Sequence, residues 1–279
     1  MKFLFILFLL LASIFVFVFD SDMNDDNLYT KLDIDSTRVS VDNFKLNNIE
    51  IRYADVGDET NRLIIFIHGA PGSLDAFNGF LKDYELRNRF RMISYDRPGY
   101  GNSDFGNPMV SISNQADFIF PLINKNKHQL KPILVGHSYG ATIAAHIAMN
   151  HSDKIGGVIL VGAAVDPMHE RIFWVSYLAD LPILKWMVPK SMRVANAEKL
   201  THVDELKKMI NGWKNIESNI TIVHGKKDGL VPVENAYFMD KMVRNINKKL
   251  VLYDNIGHLI PWTNPDLMKK EILEMVKIE

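Results

Sequence analysis

The segment Gly136-His137-Ser138-Tyr139-Gly140 sets a serine between two glycines, directly after the apolar run Pro132–Val135. A stretch of small residues with helical spacing, Ala141, Ala144, Ala145 and Ala148, opens immediately behind it. Strand, sharp turn and helix together hold a hydroxyl at the apex, above the C-terminal edge of a sheet. A turn this tight brings the residues two before and two after the serine close together, where a Cβ would clash. The first amides of the helix then point at the space in front of the hydroxyl, which favours developing negative charge. The chemistry implied is nucleophilic attack by Ser138 on an electrophilic carbon.

A hydroxyl is a weak nucleophile until a base takes its proton. Of nine histidines, His258 alone sits just past the last strand-like run, in Asn255-Ile256-Gly257-His258, where the glycine lets the loop turn back. His258 is therefore expected to be the base. Its imidazole needs a carboxylate on the other nitrogen, to fix the tautomer and stabilise the charged form. Asp228, in His224-Gly225-Lys226-Lys227-Asp228-Gly229 after the run Ile220–Val223, is the expected acid. Asp166, just past Val158–Val161, is its competitor, and Asp254 is too close in sequence to His258. The Gly/Pro-rich loop Ile67-His68-Gly69-Ala70-Pro71-Gly72-Ser73 supplies the remaining part. The backbone N–H groups of Ala70 and Tyr139 are the expected oxyanion donors, with His68 bracing the loop.

The elements that must position these groups alternate. Leu63–Ile67 is a continuous apolar run, as for a strand covered on both faces. Similar runs recur at Met92–Tyr95, Ile133–Val135, Val158–Val161, Ile220–Val223 and Leu250–Tyr253. Ahead of them, Arg38–Phe44 and Ile49–Ala54 read as a half-buried edge pair, because Ile49, Ile51 and Tyr53 alternate with polar neighbours. Helices are predicted over Ala141–Asn150 and over Pro265–Ile278, the latter with Asn264 as N-cap. A weaker helical pattern over Ser113–Asn124 contains Pro121, which would kink or end it. Alternating strands and helices predict an α/β class, with a mostly parallel sheet and helices on both faces. The alternation breaks between Asp166 and Asn219, where only helical and aromatic sequence appears.

Composition narrows the function classes. With 32 basic and 33 acidic side chains among 279 residues, the net charge is −1 and nothing points to a polyanionic partner such as nucleic acid. The absence of cysteine excludes disulfides, thiolate metal sites and a cysteine nucleophile. His146 and His151 are five apart, off one helical face, and no H-E-x-x-H occurs, so no metal and no cofactor is expected. At the N-terminus, Lys2 precedes a run from Phe3 to Phe19 broken only by Ser13, with Asp20, Asp22, Asp25 and Asp26 behind it. At 1.5 Å per residue the run spans about 25 Å, slightly short of the ~30 Å hydrocarbon core. No small-residue cleavage site ends it, so it reads as an uncleaved signal-anchor over residues 1–19, with a cleaved signal and a secreted protein as the alternative. Residues 20–35 read as a linker and 36–279 as the globular domain, which the basic N-terminal flank places outside the cytoplasm.

His68–Ser73, Asp96-Arg97-Pro98-Gly99-Tyr100-Gly101-Asn102-Ser103, Gly136–Gly140, the Asp228 loop and Gly257-His258 resemble the motif set of the α/β-hydrolase superfamily. The likeness runs from about Ile51 to the C-terminus, apart from the insertion. It implies an eight-stranded, mostly parallel sheet and a helical cap at about 166–219. It also implies nucleophile, acid and base roles for Ser138, Asp228 and His258, in the chain order that fold uses. Haloalkane dehalogenases and epoxide hydrolases of the superfamily carry an aspartate where this chain has Ser138, which disfavours both. The His68–Pro71 loop is similar to that of proline iminopeptidases, although Ala70 replaces their usual glycine and Ala141, not glycine, follows the turn.

Three functions remain open. The first is hydrolysis of a small or medium carboxylic ester through an acyl-enzyme on Ser138. For this, Phe173, Trp174, Tyr177, Leu181, Ile183, Leu184, Trp186 and Met187 read either as an apolar substrate pocket or as ordinary packing of the cap. The second is an aminopeptidase, whose substrate ammonium would need a cap carboxylate such as Glu170 or Asp180. The third is a non-catalytic binding protein on the same fold. Perhydrolase activity would use the same three side chains as the esterase.

Overall fold

The computed structural model describes residues 39–278. The expected anchor at 1–19, the linker at 20–35 and Arg38 lie outside the described residues. Among the described residues no helix is long and apolar enough to cross a membrane.

Eight strands form one sheet: β1 Val39–Leu46, β2 Ile49–Val56, β3 Arg62–Ile67, β4 Phe90–Tyr95, β5 Ile133–His137, β6 Gly157–Val161, β7 Asn219–Gly225 and β8 Lys248–Tyr253. Their spatial order is β1-β2-β4-β3-β5-β6-β7-β8. The β1–β2 and β2–β4 pairings are antiparallel, and every other pairing is parallel. The helices are α1 Asn78–Lys82, α2 Tyr84–Arg89, α3 Ile112–Asp117, α4 Phe120–Ile123, α5 Tyr139–Asn150, α6 Trp174–Ala179, α7 Pro182–Lys185, α8 Lys190–Met209, α9 Glu234–Met242, α10 Ile260–Thr263 and α11 Pro265–Met275.

The continuous apolar runs divide by parity. In β3, Leu63, Ile65 and Ile67 enter one core with α3, α4, α5 and α9, whereas Ile64 and Phe66 enter a second with α1, α2 and α11. In β6, Val158 and Leu160 face the first core, and Ile159 and Val161 the second. A strand apolar at every position is thus stable only because helices cover both faces. Full burial of one such aliphatic side chain contributes ~1.5–3 kcal/mol.

The structure corrects three local expectations. β1 and β2 do form the outer antiparallel pair at one edge of the sheet, but β2 is not half-buried: it lies between β1 and β4, and Ile51, Arg52, Tyr53 and Ala54 are all buried. Arg52 tolerates burial because its guanidinium reaches the Asp96 carboxylate at 3.7 Å. The Ser113–Asn124 pattern becomes two short helices, α3 and α4, with Pro121 in the first turn of the second, where its missing N–H costs nothing. Asn264 occupies the N-cap position of α11, but its side chain accepts from Thr263 Oγ1 at 3.0 Å and caps no helical amide.

Between β6 and β7 the insertion folds as α6, α7 and α8, followed by a 3-10 stretch, Ile210–Asn215. α8 buries Val194, Glu198, His202, Glu205, Leu206 and Met209. α6 and α7 bury no residue. α6 nevertheless lies against α8, where Asn196 Nδ2 donates to Ser176 O at 3.0 Å, while the large cap side chains Trp174, Tyr177, Ile183 and Trp186 are exposed.

Candidate active site

Ser138 sits between β5 and α5 with φ 54° and ψ −121°. For a non-glycine residue a positive φ of this kind costs ~1–3 kcal/mol and persists only where the surroundings enforce it. The two flanking glycines supply that enforcement. A Cβ on Gly136 would lie 2.5 Å from Ala141 Cα, and one on Gly140 would lie 2.2 Å from the Ile67 carbonyl oxygen. The Ser138 amide donates to Val161 O at 2.9 Å, fixing the turn to the end of β6. Ser138 is thereby presented at the C-terminal edge of the parallel strands.

The loops after β7 and β8 bring an imidazole and a carboxylate to the same edge. His258 Nδ1 lies 2.6 Å from Asp228 Oδ2, and both residues are buried. The other oxygen, Asp228 Oδ1, accepts the amides of Leu230 and Val231 at 2.9 and 2.8 Å. Burial works against the charged carboxylate, but the His258 hydrogen bond and these amides outweigh it and hold Asp228 below the usual range. An ionised Asp228 makes His258 Nδ1 the protonated nitrogen and leaves Nε2 with a lone pair. No hydrogen bond joins Ser138 Oγ to His258 Nε2 in the resting chain. Such bonds are often long before substrate closes the site. The competitor Asp166 lies elsewhere, its Oδ2 2.7 Å from His169 Nδ1 and its Oδ1 accepting the Met168 amide.

Ala70 and Tyr139 flank the same space. Tyr139 is the first residue of α5, so its amide has no intrahelical acceptor. The loop before Ala70 abuts the serine: a Cβ on Gly69 would meet Ser138 Cβ at 3.1 Å. His68 braces this loop, as expected, accepting the Arg97 amide on Nε2 at 3.0 Å with Nδ1 2.7 Å from Gly69 O.

Several supporting residues escaped the sequence reading. Gly162, with φ 54°, passes directly under the Asp228–His258 pair, and a Cβ there would lie 3.2 Å from His258 Nδ1. The only sequence signal was a glycine immediately after a strand. His137, inside the serine motif, donates from Nε2 to the His258 carbonyl at 3.0 Å, tying the two loops together. Arg97 donates to His68 O and Gly69 O, both at 3.0 Å, and to Glu198 Oε1 at 2.7 Å. Tyr100 Oη and Gln115 Nε2 also donate to the Glu198 carboxylate. The cap helix α8 is thus clamped, through a buried ion pair, to the carbonyls that precede Ala70.

Burial of titratable groups around the site makes stability depend on pH. Burial, with Arg97 beside it, holds His68 well below the usual imidazole range. Burial and the neighbouring His258 bring His137 down to about 3, and burial also lowers His224. Unfolding releases each to ~6.5, so below that pH the unfolded chain takes up protons that the folded chain does not, at ~1.4 kcal/mol per pH unit each. Asp96 opposes this: burial pushes it up to about 6, so the folded chain keeps a proton that the unfolded chain has lost. Three groups outweigh one. The unfolding free energy from urea titrations should fall by ~2 kcal/mol between about pH 6.5 and 5.5; a flat or rising profile would show that these histidines are not neutral in the fold.

Among the described residues no group of three or more His, Asp or Glu side chains could hold a metal ion. The sequence matches the family described as alpha/beta hydrolase fold over residues 62–182. It is 23% identical to a bifunctional esterase/perhydrolase of Acinetobacter calcoaceticus over 276 residues, covering 83% of this chain and 97% of that protein. It is 23% identical to a proline iminopeptidase of Pestalotiopsis fici, covering 82% and 96%. Among solved structures, a putative lipase from Acinetobacter baumannii superposes with a TM-score of 0.68 at 19% identity, covering 93% of this chain and all of that one. Sheet order, the serine turn and these matches together give the chain the α/β-hydrolase fold. The proteins it is similar to include esterases, other hydrolases and a proline iminopeptidase, which supports hydrolase activity.

Proposed function

We propose that the protein hydrolyses a small or medium carboxylic ester through an acyl-enzyme on Ser138. The observation that carries the proposal is the buried 2.6 Å contact between Asp228 and His258, beside a serine held on a strained turn. In the reaction, His258 Nε2 takes the Ser138 hydroxyl proton as Oγ attacks the ester carbonyl. The oxyanion of the tetrahedral intermediate receives hydrogen bonds from the Ala70 and Tyr139 amides, each contributing ~10²–10³ in rate. Collapse expels the alcohol, which takes its proton from His258, and leaves the acyl group on Ser138. Water, deprotonated by the same nitrogen, then releases the acid and restores the serine. Asp228 stays ionised throughout and stabilises the imidazolium.

One observation favours ester over peptide. Both cap carboxylates that could hold a substrate ammonium are already engaged: Glu170 by Lys199 and by His202 at 3.1 Å, Asp180 by Lys185 at 2.8 Å. The discriminating measurement is a panel of p-nitrophenyl esters of increasing chain length beside aminoacyl-p-nitroanilides, run on the purified chain in detergent. Esters should be turned over and the anilides should not. The reverse would make the protein an aminopeptidase, and no turnover of either would favour a binding protein.

The same proposal includes the cellular setting. The apolar run Phe3–Phe19 anchors the chain in a membrane, with the hydrolase domain outside the cytoplasm and a small-molecule substrate rather than a nucleic acid as its partner.

A further inference from the structure

The two cap helices that bury nothing carry a concentration of large apolar side chains facing solvent. Trp174 is 73% exposed, Ile183 76% and Trp186 74%, with Tyr177, Leu181 and Met187 also exposed beside them. A helix normally turns its apolar side to a partner, and a contiguous exposed patch rimmed by polar groups marks an interaction surface. We propose that this face of the cap docks on the surface of an anionic lipid bilayer.

Three observations select that occupant. First, the mixture is interfacial: tryptophan and tyrosine have apolar rings with a polar N–H or O–H, and they settle at the headgroup level of membranes. Second, the charge is complementary. Between Pro167 and Arg193 there are four cations (Arg171, Lys185, Lys190, Arg193) and two carboxylates (Glu170, Asp180), a local balance of +2 in a chain whose net charge is −1. Juxtamembrane cations of this kind add ~1 kcal/mol each at an anionic leaflet. Third, the chain outside the described residues can reach. β1 starts at Val39, which pairs with Val56, and Val56 pairs with Met92 near the start of β4. The described chain therefore begins near the N-terminal edge of the parallel strands, opposite the cap. The nineteen residues between Phe19 and Val39 could extend to ~65 Å at most, enough to pass a small domain and let its far edge face the same bilayer.

The test uses the intact chain reconstituted into phosphatidylcholine/phosphatidylglycerol vesicles containing brominated acyl chains, read by tryptophan emission. Of the four tryptophans, Trp213, buried in the core, is the internal reference, and the half-exposed Trp262, which donates to Ala76 O, is common to the parent and the variant. The bromolipids should quench emission from Trp174 and Trp186. The variant Ile183→Asp with Met187→Asp keeps all four tryptophans and should lose that quenched component, and quenching should weaken in pure phosphatidylcholine. Both altered side chains are exposed, and circular dichroism and the urea midpoint verify that the fold is kept. Quenching unchanged by the two aspartates overturns the proposal. So does absence of quenching in the intact chain, whether light scattering then shows a second copy on that face or a monomer covered by its own N-terminal run. Ser138→Ala should dock as the parent does, so the outcome is independent of the proposed chemistry.

Discussion

Ser138→Ala should abolish ester turnover, on the order of 10⁶-fold in kcat by the behaviour of other serine hydrolases, and should erase labelling by a fluorophosphonate. The protein should nevertheless remain folded with little change in its urea midpoint. The turn does not depend on the hydroxyl: its geometry comes from the absence of a Cβ at Gly136 and Gly140 and from the amide hydrogen bond to Val161. The hydroxyl holds no hydrogen bond to His258 whose loss would destabilise the resting chain. Alanine at φ 54° is strained about as much as serine, so the strain cancels in the comparison. A loss of activity accompanied by unfolding would therefore contradict this account as surely as a fully labelled alanine variant.

The parts of the fold legible in the sequence were those set by local pattern. Leu63–Ile67 announces a doubly covered strand because five apolar residues in a row can be buried only between two layers. The serine turn is legible because its glycines answer a steric demand within five residues. β2 was misread because Arg52 looks like a solvent-facing neighbour, and only its proximity to Asp96, 44 positions on, makes it a buried residue. The clamp between Arg97 and Glu198 joins residues 101 positions apart and leaves no trace in composition or spacing. The cap aromatics failed for another reason. Hydrophobicity states that Trp174 and Trp186 leave water favourably, but it does not state what they leave it for. Of the site itself, the positions that could carry chemistry were legible. Gly162 and His137, which hold the histidine loop in place, became visible only with the contacts.

Asp228→Asn should lower kcat by ~10⁴ with the protein folded, because the asparagine will hold His258 in the wrong tautomer. The local hydrogen bonds dictate which way the new amide points. Two backbone donors, Leu230 N–H and Val231 N–H, converge on Oδ1, and only an acceptor can satisfy them. The amide oxygen must take that position, which leaves the NH₂ facing His258 Nδ1 at the place of Oδ2. An NH₂ is a donor, so Nδ1 must become the acceptor and the ring proton moves to Nε2. A protonated Nε2 cannot take the proton of Ser138. Flipping the amide would restore the tautomer but would set an NH₂ against two buried N–H groups, which costs ~1–3 kcal/mol for each donor left unpaired. Asp166→Asn is the matched control: its carboxylate contacts His169 and the Met168 amide, and its loss should leave turnover nearly unchanged. If the two variants exchanged outcomes, the acid would be Asp166. If neither affected kcat, His258 would not be working as a base held by a carboxylate.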